Sequence, residues 1–133
     1  MRHIQQVQAM HSVLVVDDDY DSLLALRFVF EARGFTVFVA GHGKAALSLA
    51  VKHVPDIIVT DFEMPELDGI QLCERLRCSP ALSTIPVILI SGGQPPASAP
   101  VLWSAFLSKP VDFHLLTEVV ESFTVMRLSD ASR

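Results

Sequence analysis

The sequence predicts an α/β domain: a parallel sheet covered by helices on both faces. Three observations carry that expectation. Short apolar runs at 13–16, 35–39, 57–61, 87–90 and 105–107 alternate with segments of helical spacing. A run with almost no polar interruption suits a strand buried on both faces. Strand followed by helix, repeated along a chain, calls for right-handed crossovers and hence parallel pairing. Finally, most of the runs end in polar residues, at the place where open α/β sheets put their chemistry.

At 133 residues the chain has room for one domain with a real core and not for a second of ordinary size. Residues 1–11 read as a flexible leader, with Ile4, Val7 and Met10 as a marginal helix face, 12–126 as the domain, and 127–133 as a loose polar tail. Ten basic against fifteen acidic side chains give a formal charge of -5, without the Lys/Arg cluster that binding nucleic acid directly requires. No apolar stretch approaches the ~18 residues of a membrane span, and the start lacks the apolar core of a secretory signal. A cytoplasmic protein is expected. Cys73 and Cys78, five apart, match neither a redox CxxC nor zinc spacing, and the five histidines form no helical ligand pair.

Taken in order, 13–16 is the first strand and runs into Asp17-Asp18-Asp19. A helix over 20–33 follows, with Asp19 or Asp21 as N-cap, apolar Leu23, Leu24, Leu26, Phe28 and Phe30, and Gly34 as the stop. Strand 35–39, a turn at Gly41 and Gly43, and a short Ala-rich helix over 44–52 form the second unit, which Pro55 closes. The third strand, 57–61, leads through Phe62-Glu63-Met64-Pro65-Glu66-Leu67-Asp68-Gly69 into a helix over 70–78, ended by Ser79-Pro80. Strand 87–90 follows Pro86 and ends at Ser91-Gly92-Gly93. Pro95, Pro96 and Pro100 disfavour a helix between 94 and 104, leaving at most a turn at 101–104. A short fifth strand, 105–107, runs to Lys109-Pro110, and Asp112 is placed to cap a last helix over 113–126.

Strand ends thus deliver Asp17, Asp18, Asp61, Ser91 and Lys109 to one edge. Each has a bland explanation alone, as a cap, a turn residue or a solvated lysine. Capping does not account for their convergence. Two carboxylates at 4 Å repel by ~4 kcal/mol at an effective dielectric of 20, so a positive partner is required. Mg²⁺ suits one or two carboxylates plus phosphate oxygens, Lys109 suits a phosphate as a point charge, and Ser91 offers a hydroxyl. Positioning and charge neutralisation are what phosphoryl transfer needs. Asp61 is the expected acceptor.

Val-Val-Asp-Asp at 15–18, Thr-Asp-Phe-Glu-Met-Pro-Glu-Leu-Asp-Gly at 60–69, Ser91 and Lys109-Pro110 together resemble the receiver domain of two-component response regulators over about 13–123. The resemblance implies a flavodoxin-like sheet of order 2-1-3-4-5 and phosphorylation of Asp61 by a phosphohistidine on a histidine kinase or phosphotransfer protein. It implies Mg²⁺ bound by Asp18, Asp61 and the Glu63 backbone carbonyl, with Asp17 acting through water. Lys109 would pair with the acyl phosphate, Ser91 would move toward it, Phe106 would be the switch aromatic, and the Lys109-Pro110 bond would be cis. Glu63 and Gly93, each two residues beyond a site residue, are candidates for tuning phosphoryl lifetime.

The interval from Ser91 to Lys109 is about one helical turn shorter than receivers normally have there, so the helix between the fourth and fifth strands is expected to be truncated or irregular. Val101, Leu102 and Trp103 either fold down on the sheet or form an exposed contact. The expected function is a stand-alone receiver, not an enzyme in its own right, that switches contacts with a downstream protein or a second copy of itself. Alternatives are a receiver fragment of a larger regulator or hybrid kinase, a receiver-like interaction module that is never phosphorylated, and a haloacid-dehalogenase-type hydrolase using Asp17.

Overall fold

The computed structural model describes residues 11–131. Its elements are β1 (Ser12–Val16), α1 (Tyr20–Ala32), β2 (Thr36–Ala40), α2 (Gly43–His53), β3 (Ile57–Asp61), α3 (Gly69–Arg77), β4 (Val87–Ser91), β5 (Ala105–Ser108) and α4 (Phe113–Ala131). The strands pair in parallel in the order β2-β1-β3-β4-β5, the flavodoxin-like arrangement. The expected leader lies outside the described residues, Ile4, Val7 and Met10 included. His11, at its edge, already belongs to the sheet margin, where its carbonyl accepts the Thr36 N–H at 3.0 Å.

Side chains alternate across a strand, so the central apolar runs feed two cores. Val13, Val15, Ile57, Val59, Ile88 and Ile90 pack with Leu23, Leu26 and Phe30 of α1 and with Leu116 and Val120 of α4. On the other face Leu14, Val16, Ile58 and Val87 meet Ala46 and Ala50 of α2 and Leu72, Cys73 and Leu76 of α3. Burying a Leu, Ile or Val side chain is worth roughly 1.5–3 kcal/mol, and this two-sided burial holds the strand ends in register.

Local signals set the helix boundaries. The Asp19 carboxylate accepts the Ser22 N–H and hydroxyl, and Gly34 takes the positive φ of 91° that ends α1. Asp68 and Gln71 form a capping box on α3, and Asp112 accepts the His114 and Leu115 N–H groups at the start of α4. At 41–43 the turn reading is incomplete: His42 caps α2, its Nδ1 accepting the Ala45 N–H at 3.2 Å. The last helix also runs beyond 126 to Ala131, since no Gly or Pro interrupts that stretch.

No helix forms between β4 and β5 among the described residues. The turn in this interval lies at 96–99, where the Ala99 N–H meets the Pro96 carbonyl at 3.0 Å, and not at 101–104. Residues 101–103 have no regular secondary structure. Leu102 and Trp103 pack on the core between the sheet and α3, whereas Val101 is exposed. Arg77, at the end of α3, donates from Nε to the Leu102 carbonyl and from a terminal nitrogen to the Ser83 and Ile85 carbonyls. One guanidinium therefore ties three stretches of chain together.

Candidate functional site

Parallel strands all present their carboxyl ends at one edge, and there β1, β3, β4 and β5 deliver Asp17, Asp61, Ser91 and Lys109. Asp17 and Asp61 are buried at 7% and 6% exposure, while Asp18 is exposed between them and solvent. Carboxylate oxygens of Asp17, Asp18 and Asp61 all lie within 4.8 Å of one another. Lys109 Nζ stands 3.1 Å from Asp61 Oδ1. That oxygen, although buried, accepts no properly directed hydrogen bond among the described residues. Backbone bonds fix the frame: the Asp17 N–H reaches the Ala40 carbonyl, the Phe62 N–H the Ile90 carbonyl, and the Lys109 N–H the Ser91 carbonyl at 2.8 Å.

Burial raises the Asp61 carboxyl above its ordinary range. Lys109 pulls it back and Asp18 adds to the rise. Asp17 is also raised, first by burial and then by Asp61, against the Asp19 N–H bonded to its Oδ1 at 2.9 Å. Burial works against the Lys109 ammonium, but Asp61, Asp17 and Asp18 together lift its pKa. Asp19 is held low by the Ser22 hydroxyl and serves as a helix cap. Raised carboxyl pKa values mean that the folded chain binds these protons more tightly than the unfolded chain. Stability therefore falls as pH rises from the ordinary carboxylate range through the raised values. Asp17→Asn keeps the oxygen that accepts the Asp19 N–H and removes one repelling charge. In metal-free buffer at neutral pH its melting temperature is expected to rise by a few degrees, the scale of about 1 kcal/mol in a domain of this size. A fall in the melting curve would contradict the charge argument.

The donor set fits a hard dication: carboxylate oxygens only, grouped tightly, from two buried residues and one exposed to solvent. Ser91 is buried, and its Oγ accepts the Gly93 N–H at 3.1 Å, which leaves the hydroxyl hydrogen available. Gly93 is exposed, and a Cβ there would touch nothing within 4 Å, so that side of the site is open. Glu63 is exposed beside the edge. Phe106 sits half-buried on β5 opposite Leu89, on the sheet face from which the helix is missing. The Lys109-Pro110 bond is cis.

Sequence reasoning missed a cavity of about 370 Å³ beside Asp61 and Lys109, between Ser22, Ala25 and Leu26 of α1 and, on the other side, Val111 before α4 and Phe113 at its start. It exists only because α1 and α4 pack side by side, and no local pattern announces it.

A family model described as the response regulator receiver domain matches residues 13–121. An uncharacterized 14.6 kDa protein in the sodA1 3' region of Leptolyngbya boryana is 38% identical over 95% of this chain and 99% of its own length. Response regulator PleD of Caulobacter vibrioides is 35% identical over 87% of this chain, which spans only 26% of that protein. Among solved structures, the signal receiver domain of a signal transduction histidine kinase from Syntrophus aciditrophicus superposes with a TM-score of 0.79. The two are 28% identical, over 86% of this chain and 90% of that one.

Proposed function

The chain belongs to the response regulator receiver family of two-component signalling, and from that membership we propose that Asp61 accepts a phosphoryl group from a phosphohistidine. The observation that carries this reading is the buried Asp61 carboxylate, 3.1 Å from the Lys109 ammonium and grouped with the Asp17 and Asp18 carboxylates. An Asp61 oxygen attacks phosphorus, the phosphorus–nitrogen bond breaks, and the imidazole leaves with the electron pair and takes up a proton. Lys109 neutralises a phosphoryl oxygen, and the Ser91 hydroxyl donates to another. Asp18, Asp61 and the Glu63 carbonyl, with Asp17 beside them, would hold Mg²⁺, which would supply the remaining positive charge.

A stand-alone receiver is the favoured form, supported by the Leptolyngbya relative that this chain matches over 99% of its length. A receiver within a larger regulator is the second reading, favoured by the match to only a quarter of PleD. The donor is a histidine kinase or a phosphotransfer protein, and the output is contact with a downstream protein or a second copy of the chain. Neither nucleic acid nor membrane enters this reading, in keeping with the charge of -5 and with the lack of a membrane-crossing helix among the described residues. The setting is the cytoplasm. Phe106 has only partial burial to bias its position, having no hydroxyl.

Intact-protein mass spectrometry after incubation with acetyl phosphate, with and without Mg²⁺, tests the reading. One Mg²⁺-dependent phosphoryl adduct is expected. No adduct from acetyl phosphate or from a histidine kinase would leave only an interaction module. Glu63, exposed beside the path of an attacking water, is proposed to speed hydrolysis. Glu63→Ala is expected to lengthen the phosphoryl half-life about threefold, far short of the ~100-fold due to a dedicated general base. An unchanged half-life would remove Glu63 from the site.

A further inference from the structure

We infer that the first turn of α2 is the backstop of the loop that follows the acceptor: Gly43, by having no side chain, admits Leu67, and Leu67 in turn fixes where residues 62–64 present the Glu63 carbonyl. Gly43 and Leu67 are thus positioning residues, not ligands. The inference rests on the proposed function, in which that carbonyl helps to hold Mg²⁺.

A Cβ added at Gly43 would stand 2.7 Å from Cδ2, 2.8 Å from Cβ and 2.9 Å from Cγ of Leu67. Both residues are buried, Leu67 at 6% exposure. The distance to Cβ decides the consequence. A leucine can turn its methyls to another rotamer, but its Cβ moves only with its backbone. A side chain at 43 therefore displaces either the helix or the loop.

The helix is the firmer of the two. His42 closes its start twice, the ring accepting the Ala45 N–H at 3.2 Å and the carbonyl accepting the Ala46 N–H at 3.1 Å. Ala46 and Ala50 lie fully buried in the core behind it. The loop is also fixed beyond Leu67, where Asp68 and Gln71 form the capping box and the Gly69 N–H bonds the Phe62 carbonyl at 2.8 Å. Before Leu67 the chain makes a tight turn, with the Leu67 N–H on the Pro65 carbonyl at 2.8 Å and Glu66 at a positive φ of 70°. A non-glycine residue already in the left-handed region has little room to absorb further displacement. A push on Leu67 thus passes through the turn to Met64, whose side chain is buried in the same core but adapts readily, and to Glu63.

Gly43→Ala, Leu67→Gly and the two together test this on the full-length chain, each checked for native circular dichroism and held well below its melting temperature. Two quantities are read: the amide NMR shifts of residues 62–67 without metal, and the dissociation constant for Mg²⁺ alone from titration of those shifts. Gly43→Ala is expected to move the 62–64 signals before any metal is added and to weaken Mg²⁺ about tenfold, the lower end of what losing the support behind a metal ligand costs. Leu67→Gly alone is expected to weaken Mg²⁺ as well, because the loop loses its seat. In the double variant the second substitution takes away all three atoms that the new methyl meets, so Mg²⁺ should bind more tightly than to Gly43→Ala. One substitution then harms the wild type and helps the variant, a reversal that independent damage at two sites does not produce. Gly41→Ala adds a methyl just before α2 that meets nothing within 4 Å, and both readings should stay at wild-type values. The inference is overturned if Gly43→Ala or Leu67→Gly binds Mg²⁺ like the wild type, or if the double variant binds no better than Gly43→Ala. A wild type that binds no Mg²⁺ sinks the metal part of the proposed function itself, and this inference with it.

Discussion

Asp61→Asn is expected to abolish the phosphoryl adduct completely, with either acetyl phosphate or a histidine kinase as donor. The amide matches the carboxylate in shape, so the two-sided packing beneath it at 6% exposure is preserved. What disappears is the anionic oxygen that attacks phosphorus, and no neighbouring carboxylate replaces it. Asp18 is exposed, and Asp17 Oδ1 is engaged by the Asp19 N–H. Removing a charge whose pKa burial has raised also relieves the fold, so loss of the adduct should come without loss of the melting transition. Intact mass and thermal denaturation on the same sample separate the two effects. An adduct that survives Asp61→Asn and vanishes in Asp17→Asn would transfer the chemistry to the first strand and revive the hydrolase reading.

Gly69→Ala is the substitution expected to damage both stability and phosphorylation. A Cβ at Gly69 would stand 2.6 Å from the Asp61 carbonyl oxygen, 2.6 Å from Leu89 Cδ1 and 3.0 Å from Phe62 Cα. Leu89 can yield, but the other two are backbone of the acceptor and of the residue after it. The Gly69 N–H also bonds the Phe62 carbonyl at 2.8 Å, which ties the start of α3 to that loop. Overpacking costs typically 1–3 kcal/mol, and rigid backbone puts this site at the upper end, a fall in melting temperature of roughly 10 °C. Displacing Asp61 by a fraction of an ångström is expected to slow adduct formation at least tenfold, given that misplacement by 1 Å can cost ~100-fold. Gly93→Ala is the control: its Cβ meets nothing, and the melting curve should not move. If Gly69→Ala melts and is phosphorylated like the wild type, the close approach of α3 to Asp61 has no mechanical consequence.

Much of this molecule can be read locally. A run such as Ile57-Ile58-Val59 has no polar side to turn to water, so it has to lie between two layers, and the carboxylate that ends it has to emerge at the sheet edge. Asp19, Gly34, Asp68 and Asp112 mark helix ends because a short carboxylate or a missing Cβ meets a need of the nearest turn. His42 escaped notice as a cap because histidine seldom serves as one, and nothing in 41–43 says which way its ring turns. The switch role of Phe106 rests on family resemblance alone; the residue lies half-buried on the edge strand β5, with no helix between β4 and β5 among the described residues to cover it.

The sequence by itself determined the α/β class, the strand ends, the arrival of Asp17, Asp61, Ser91 and Lys109 at one sheet edge and, among the described residues, the lack of a helix between β4 and β5, because each depends on hydrophobic period, backbone donors or caps within a few residues. Tertiary structure alone decided where Leu102 and Trp103 go, that Arg77 grips Leu102 from 25 residues away, and that Gly69 must have no side chain. It also opened the cavity between α1 and α4. These are meetings between segments distant in the chain, and their energy depends on distances set only when the sheet and both helical layers close together.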